Sequence, residues 1–359
     1  MECGVCVMAI DRIDVFRTLR DTTGKRELPG VTVESVEWEL NKEGGATLSV
    51  DPLHPDAELI LLNEIEIQIW FDDHIRHYVV PRGVGGNTGR VTYGCEGVLS
   101  WLQYAFLTEN INTFNVEQFN LAVNLVEWAQ TQTNGNRYID IGAFAGSGVF
   151  RSRPTLGDDF PNIYDLLQEF PAIEEGFDFD VKLLDDGRRE FWCYYPAKGT
   201  FKPQYSLEFD QRGRKFVKGI ESWKIDGFSM ATDVYNTGGT ITDTSTDPDT
   251  QFKVVGHYED VTADGSPKYG RMTKVMSNGQ IIDLGWLNDR SQAEEAQRGQ
   301  PITTADLAVS EDLLGLVDTG DTVPVNVDYG VMRMKGIFRI MSIKWRNSSR
   351  DLLLGLQPA

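Results

Sequence analysis

The chain has 359 residues and a formal net charge of −20, from 54 acidic against 34 basic residues. At roughly 100–200 residues per domain this length predicts two or three domains. A hydrophobic fraction of 41% and an aromatic fraction of 11% exclude wholesale disorder. The acidity argues against a general nucleic-acid binder, whose affinity rests on basic contacts to phosphate.

Thirty-five glycines and many β-branched residues tilt the balance toward β structure. Cys3 and Cys6 have metal-ligand spacing, but no second pair follows, so no zinc site is expected. Cys95 and Cys193 sit in apolar, strand-like runs and read as reduced core thiols, which fits folding in a reducing cytoplasm. The opening MECGVCVMAIDRIDVF lacks a basic stretch followed by a long apolar run, so a signal peptide is not expected. No segment approaches the ~18 apolar residues of a membrane span.

In chain order, residues 1–102 read as a first, all-β domain. A strand is expected from Val7 to Phe16. Val31–Leu40 alternates, with a bulge before Val36, and Ala46–Val50 returns after the Lys42–Gly45 turn. Asn63–Phe71 alternates almost strictly, placing Ile65, Ile67 and Ile69 inward and Glu64, Glu66 and Gln68 outward. Asp72-Asp73 turns the chain, Ile75–Val80 returns, Pro81 is expected to end the pairing, and Gly83–Gly89 reads as a hairpin loop. Arg90–Glu96 is the last strand. Strands this short, at this turn density, predict a sandwich or small barrel.

Residues 103–205 change character and predict a small α+β domain. Val116–Gln132 is an amphipathic helix, and Asn162–Phe170 a second one bounded by Pro161 and Pro171. Phe177–Leu184 and Glu190–Tyr195 form a hairpin across Asp185–Gly187. Residues 206–359 return to β. Lys215–Gly239 reads as a tight hairpin turned by Asp226-Gly227. Thr240–Gln251 reads as a mobile loop, and Ser291–Arg298 as a helical patch capped by Ser291.

Gly320–Arg346 repeats the pattern of the Asn63–Val84 stretch. Alternating Val323, Val325 and Val327 match Ile65, Ile67 and Ile69. Phe338–Ile340 matches Tyr78–Val80, and Leu352, Leu354 and Leu356 match Val91, Tyr93 and Cys95. The fold class expected is therefore mainly β with an α+β insert: two related, barrel-like β domains flanking a small α+β domain. The competing explanation is that any two three-stranded meanders look alike.

No constellation assembles nucleophile, base and orienting group. His74 and His77, three apart on a strand, point to opposite faces and make a poor metal pair. GxSxG is absent, Gly146-Ser147-Gly148 lacks the strand–turn–helix setting, and the glycines of 83–89 lack a following helix and a GK[ST] ending. The carboxylate pairs fall in turns, where Asp caps backbone. Asp243, Asp247 and Asp249 could hold a cation in the 240–251 loop, but EF-hand spacing is absent.

Two blocks carry a resemblance. VESVEWELNKEGGATLSVDPLHPDAELILLNEIEIQIWFDD resembles the first β domain of phage tail-tip hub proteins, also called baseplate hub or minor tail proteins: Val36–Leu40, Gly44-Gly45, Ala46, Leu48 and Val50, and Ile65–Phe71 follow that pattern. RGRKFVKGIESWKIDGFSMATDVYNTGG is similar to the entry to the family's second β domain, through Ala231, Thr232, Val234 and Gly238-Gly239.

The resemblance implies a homotrimer whose two β domains per subunit form a pseudo-sixfold ring continuing the tail tube, with the α+β domain at its periphery. It implies a virion protein of the tail tip, assembled in the host cytoplasm. The implied partners are a distal tail protein, a tape measure protein and a tail fibre or receptor-binding protein, with DNA passing without sequence-specific binding. No enzymatic activity, cofactor or metal is implied. Longer relatives carry a peptidase or fibre domain after the hub, and none is expected here, since the sequence ends at Ala359 directly after the second β domain. The acidic charge then acquires a role: carboxylates such as Glu64 and Glu66 would line the channel and repel passing DNA. Other readings stay open: a distal tail protein forming hexameric rings, a carbohydrate-binding adhesin using Trp192, Tyr194 and Tyr195, or a hydrolase with an unrecognised site.

Overall fold

A computed structural model describes residues 13–18, 25–72, 74–111, 113–133, 135–153, 155, 157, 160–184, 186–210, 213–243, 245, 250–259, 269–279, 281–330 and 332–359. Cys3, Cys6, Asp73, Asp185, Asp247 and Asp249 lie outside the described residues.

The first part of the chain supplies β1 (Ile13–Thr18), β2 (Arg26–Glu27), β3 (Thr32–Glu39), β4 (Gly45–Val50), β5 (Glu66–Phe71), β6 (His74–Asn87) and β7 (Arg90–Gly97). They pair antiparallel in the order β3-β4-β7-β6-β5-β1-β2. The middle part supplies β8 (Val116–Glu117), α1 (Gln118–Thr131), β9 (Ile139–Ile141), β10 (Phe150–Arg151), α2 (Ile163–Gln168), β11 (Asp178–Leu183) and β12 (Arg189–Tyr194). Asn162 caps α2 by accepting from the Tyr164 and Asp165 amides. The last part supplies β13 (Leu207–Phe209), β14 (Arg214–Lys215), β15 (Val217–Asp226), β16 (Asp233–Asp243), β17 (Thr250–Glu259), β18 (Thr273–Ser277), α3 (Leu284–Arg298), β19 (Ile302–Ser310), β20 (Thr322–Tyr329), β21 (Met332–Arg346) and β22 (Asp351–Pro358).

The two β regions are built on one plan. The first runs β3-β4-β7-β6-β5-β1, and the second β15-β19-β22-β21-β20-β13. Every pairing is antiparallel except β13 with β20, which is parallel. The central strand of each meander is long and bulged, at Pro81/Gly83 in β6 and Ile340/Ser342 in β21. β3 and β15 carry matching bulges, at Val33/Ser35 and Ile220/Ser222. Aligned on those bulges, Val33-Glu-Ser-Val-Glu-Trp-Glu39 faces Ile220-Glu-Ser-Trp-Lys-Ile-Asp226.

The two units join directly. β3 pairs with the far half of β21, from Ser342↔Glu39 to Arg346↔Ser35. Both units bury one continuous apolar core, in which Phe71 meets Trp345 edge to face at 5.1 Å. A second core belongs to the α+β region: Phe119, Leu125, Phe170, Phe177, Phe179 and Phe191 pack there with Tyr78 and Val80 of β6.

Where β3 and β4 are linked by a turn, β15 and β19 are separated by residues 227–301. That segment forms its own sheet, β17-β16-β18, and α3. Its Ile281, Trp286 and Leu287 enter the α+β core. Gly256 lets α3 lie close to β17, because a Cβ there would sit 2.5 Å from the Leu287 carbonyl carbon.

Several expectations need correction. Lys215–Gly239 is not a hairpin: β15 pairs β19, and β16 pairs β17 and β18. Asp226 redirects the chain instead, accepting from the Phe228 amide at 2.9 Å and the Ser229 hydroxyl at 2.9 Å. Pro81 does not end its strand, because the bulge accommodates its missing N–H and pairing continues to Asn87↔Arg90, through the glycines read as a loop. Strand also extends into the 240–251 stretch, as Thr240↔Lys253 to Asp243↔Thr250. Ser291 lies inside α3, buried and donating to the Leu287 carbonyl at 2.9 Å, while Asp283 caps the helix.

Candidate assembly surface

Several of the buried polar groups sit where regions meet. Glu66 and Gln68 were expected to face outward, and both are buried. The α+β region covers that face of β5. Arg189, at the start of β12, donates to the Glu66 carboxylate at 2.5 Å, with each side chain 1% exposed. Gln68 donates to the Tyr78 hydroxyl at 2.8 Å, and that hydroxyl donates to the Gly187 carbonyl at 2.8 Å. Glu66 therefore lines no channel. Glu64, in the turn before β5, is exposed.

Asp178 is a three-way joint. Its carboxylate accepts from the Asn41 amide of the first unit at 2.8 Å, from the Lys198 backbone N–H at 2.7 Å, and from the Arg339 guanidinium of the second unit. Lys198 continues the network, donating to Asp180 at 2.6 Å and Thr319 at 2.9 Å, with Asp318 at 3.2 Å. Burial alone would depress the Lys198 ammonium; the charges of Asp180 and Asp318 outweigh it and hold its pKa above the ordinary lysine value. A cleft of about 370 Å³ opens beside this joint, lined by Trp38, Tyr78, Lys182 and Leu314 among others. Its cations are engaged: Lys198 as above, Lys42 with Glu39 at 2.6 Å, and Lys182 over the Trp192 ring at 3.4 Å. No nucleophile faces a base there among the described residues.

The two histidines of β6 differ in burial. His74 is exposed and His77 is buried. Burial drives the His77 pKa down to about 4, against a hydrogen bond to the Glu37 backbone. Cys95 and Cys193 are buried free thiols, and burial raises both.

Sequence reasoning missed the grouping of Asp233, His257 and Glu259, whose ligand atoms lie within 4.8 Å of one another. Arg271 occupies that position: its Nε donates to Asp233 at 2.8 Å, alongside the Thr273 hydroxyl at 2.7 Å and His257 at 2.7 Å. Against the cost of burial, these bonds hold the Asp233 carboxyl down at about 2. A cation already fills the carboxylate's coordination, so the set is a closed ion-pair network and not an open metal centre. Trp192 and Tyr194, the adhesin candidates, stack on each other under Lys182, while Tyr195 is exposed.

Two strand edges stand open among the described residues. β15 is exposed over most of its length, with Trp223 at 41% and Ile225 at 54%, and Phe228 just beyond it is fully exposed. The far half of β6 is exposed from Gly83 to Asn87, with Val84 at 53%. Unpaired edges carrying apolar side chains are avoided in free monomers and mark places where another chain adds. The described residues contain no helix long and apolar enough to cross a membrane.

No protein-family model matches the sequence, and no curated protein matches it. Solved structures do. A prophage MuSo2 43 kDa tail protein from Shewanella oneidensis is 12% identical, with a TM-score of 0.62, over 96% of this chain and 98% of that one. Prophage tail protein gp18 from Listeria monocytogenes EGD-e is 13% identical, with a TM-score of 0.57, over 96% and 94%. A tail protein from Neisseria meningitidis MC58 is 12% identical, with a TM-score of 0.55, over 96% of each. Over nearly its whole length, the chain has the mixed, β-rich fold of these phage tail proteins.

Proposed function

We propose that this chain is a structural component of a phage tail tip: a hub ring that continues the tail tube and joins it to the host-recognition apparatus. The observation that carries the reading is the doubled β unit. One polypeptide supplies two copies of the same six-stranded plan, side by side in one sheet, in a fold shared end to end with proteins named for phage tails. Three such chains present six similar units, which suits a closed ring. The α+β region, seated on one side of β5 and β6, then lies at the periphery. The buried networks of Glu66 with Arg189 and of Asp178 with Asn41 and Arg339 serve joints between regions, which favours an architectural role over a catalytic one.

In this reading the ring contacts a distal tail protein, the tape measure protein and a fibre or receptor-binding protein, and DNA passes through without being gripped. Glu64 remains the candidate channel-facing acid. The test is mass in solution by light scattering, together with negative-stain electron microscopy. A trimer with a ring-shaped projection is expected. A six-chain ring would favour a distal tail protein instead, and a persistent monomer that forms no ring with tail partners would defeat both.

A further inference from the structure

The junction between the two units within one chain has its two complementary halves left over. β3 is the edge strand of the first unit, and it pairs with the far half of β21, beyond that strand's bulge, where β20 has ended. The equivalent edge strand in the second unit is β15, which among the described strands pairs only with β19. The equivalent receiving strand in the first unit is the far half of β6. There the pairing with β5 stops at Val79, and among the described strands the residues after the Pro81/Gly83 bulge pair only with β7. Among its described residues each chain thus carries one satisfied junction, one unused donor edge and one unused receiving edge of the same design.

We infer that β15 of one copy of this chain pairs antiparallel with residues 83–87 of β6 in the next copy, repeating between chains the β3–β21 junction made within each chain. The inference rests on the ring reading and assigns its contact surface. Transferring the register bulge to bulge gives the pairs. Ser35↔Arg346, Trp38↔Ile343 and Glu39↔Ser342 become Ser222↔Asn87, Ile225↔Val84 and Asp226↔Gly83. The two exposed aliphatics, Ile225 and Val84, fall directly opposite each other. Trp223 falls opposite Gly86, where an aromatic ring can cover bare backbone.

The glycines of this edge support the same assignment. A Cβ at Gly83 or Gly85 would meet nothing within 4 Å, so this edge is clear of the chain's own atoms and open to a neighbouring strand. A contact joining two different edges is head to tail and not self-complementary, so it propagates and closes only as a ring or continues as a filament.

The full chain is made as Val84→Cys/Ile225→Cys, with each single variant as control, and is treated with diamide or a short bismaleimide. The expected result is a ladder of covalent multimers that stops at the ring size, absent from both single variants, with peptide mass spectrometry identifying the 84–225 link. Matching unfolding temperatures before treatment confirm that the variants fold. Rings seen by microscopy without the 84–225 link would overturn this junction and leave the ring reading standing. No ring and no link would overturn both.

Discussion

Arg189 reaches across from the α+β region to Glu66 of β5 and forms a 2.5 Å ion pair with both side chains 1% exposed. Such a pair costs desolvation on each side, and removing one member takes away a charge that offsets the burial of the other. Glu66→Ala should therefore destabilise the chain by about 3–5 kcal/mol, read as a lower urea midpoint with an unchanged slope. Glu66→Leu/Arg189→Met should recover most of that loss. If the double variant is as unstable as the single one, the pair matters less than the packing around it.

His77 gives the fold an acid limit. It is buried, packs against Trp38 with the rings tilted and their centroids 5.8 Å apart, and has its pKa driven down from 6.5 to about 4 by burial. A histidine depressed in the folded state binds its proton more readily when unfolded. Its contribution is thus fully present above about pH 6.5 and is lost as pH falls toward 4. At 1.36 kcal/mol per pH unit the loss amounts to about 3 kcal/mol. His77→Phe keeps the aromatic contact with Trp38 and removes the titration. The stability difference between the variant and the parent should be constant above pH 6.5 and shift in the variant's favour by about 3 kcal/mol at pH 4. A flat difference across that range would show that His77 opens to solvent before it protonates.

Alternation in the sequence located most strands, because a period of two directly reports amphipathic character. It also paired the β5–β6–β7 and β20–β21–β22 meanders. It misassigned Glu66 and Gln68, since periodicity marks a polar face without saying what covers it, and here Arg189 and Tyr78 do. The sequence carries Glu-Ser doublets at 34–35 and 221–222, but their equivalence depends on two bulges that no period reveals. The Asp226-Gly227 pair looked like a hairpin turn because turn chemistry is local, whereas the partner of β15 lies beyond a long excursion, at β19. For the same reason the seat of α3 on a core built mainly by residues 78–193 was not legible: nothing in its own pattern names the surface it buries.

That seat is testable at Trp286. The side chain is 2% exposed, meets Phe170 edge to face at 5.8 Å, and lies under the Arg153 guanidinium at 4.9 Å. Truncating a buried tryptophan removes its transfer energy and leaves a cavity, at a cost of about 3–5 kcal/mol. Trp286→Ala should lower the urea midpoint accordingly and weaken near-ultraviolet circular dichroism. Because α3 and the α+β region share one core, a single transition should persist, and protection of the α1 and α2 amides from hydrogen exchange should fall together with that of α3. Loss of α3 protection alone, with α1 and α2 unchanged, would mean that residues 227–301 are an independent module resting on the core and not a part of it.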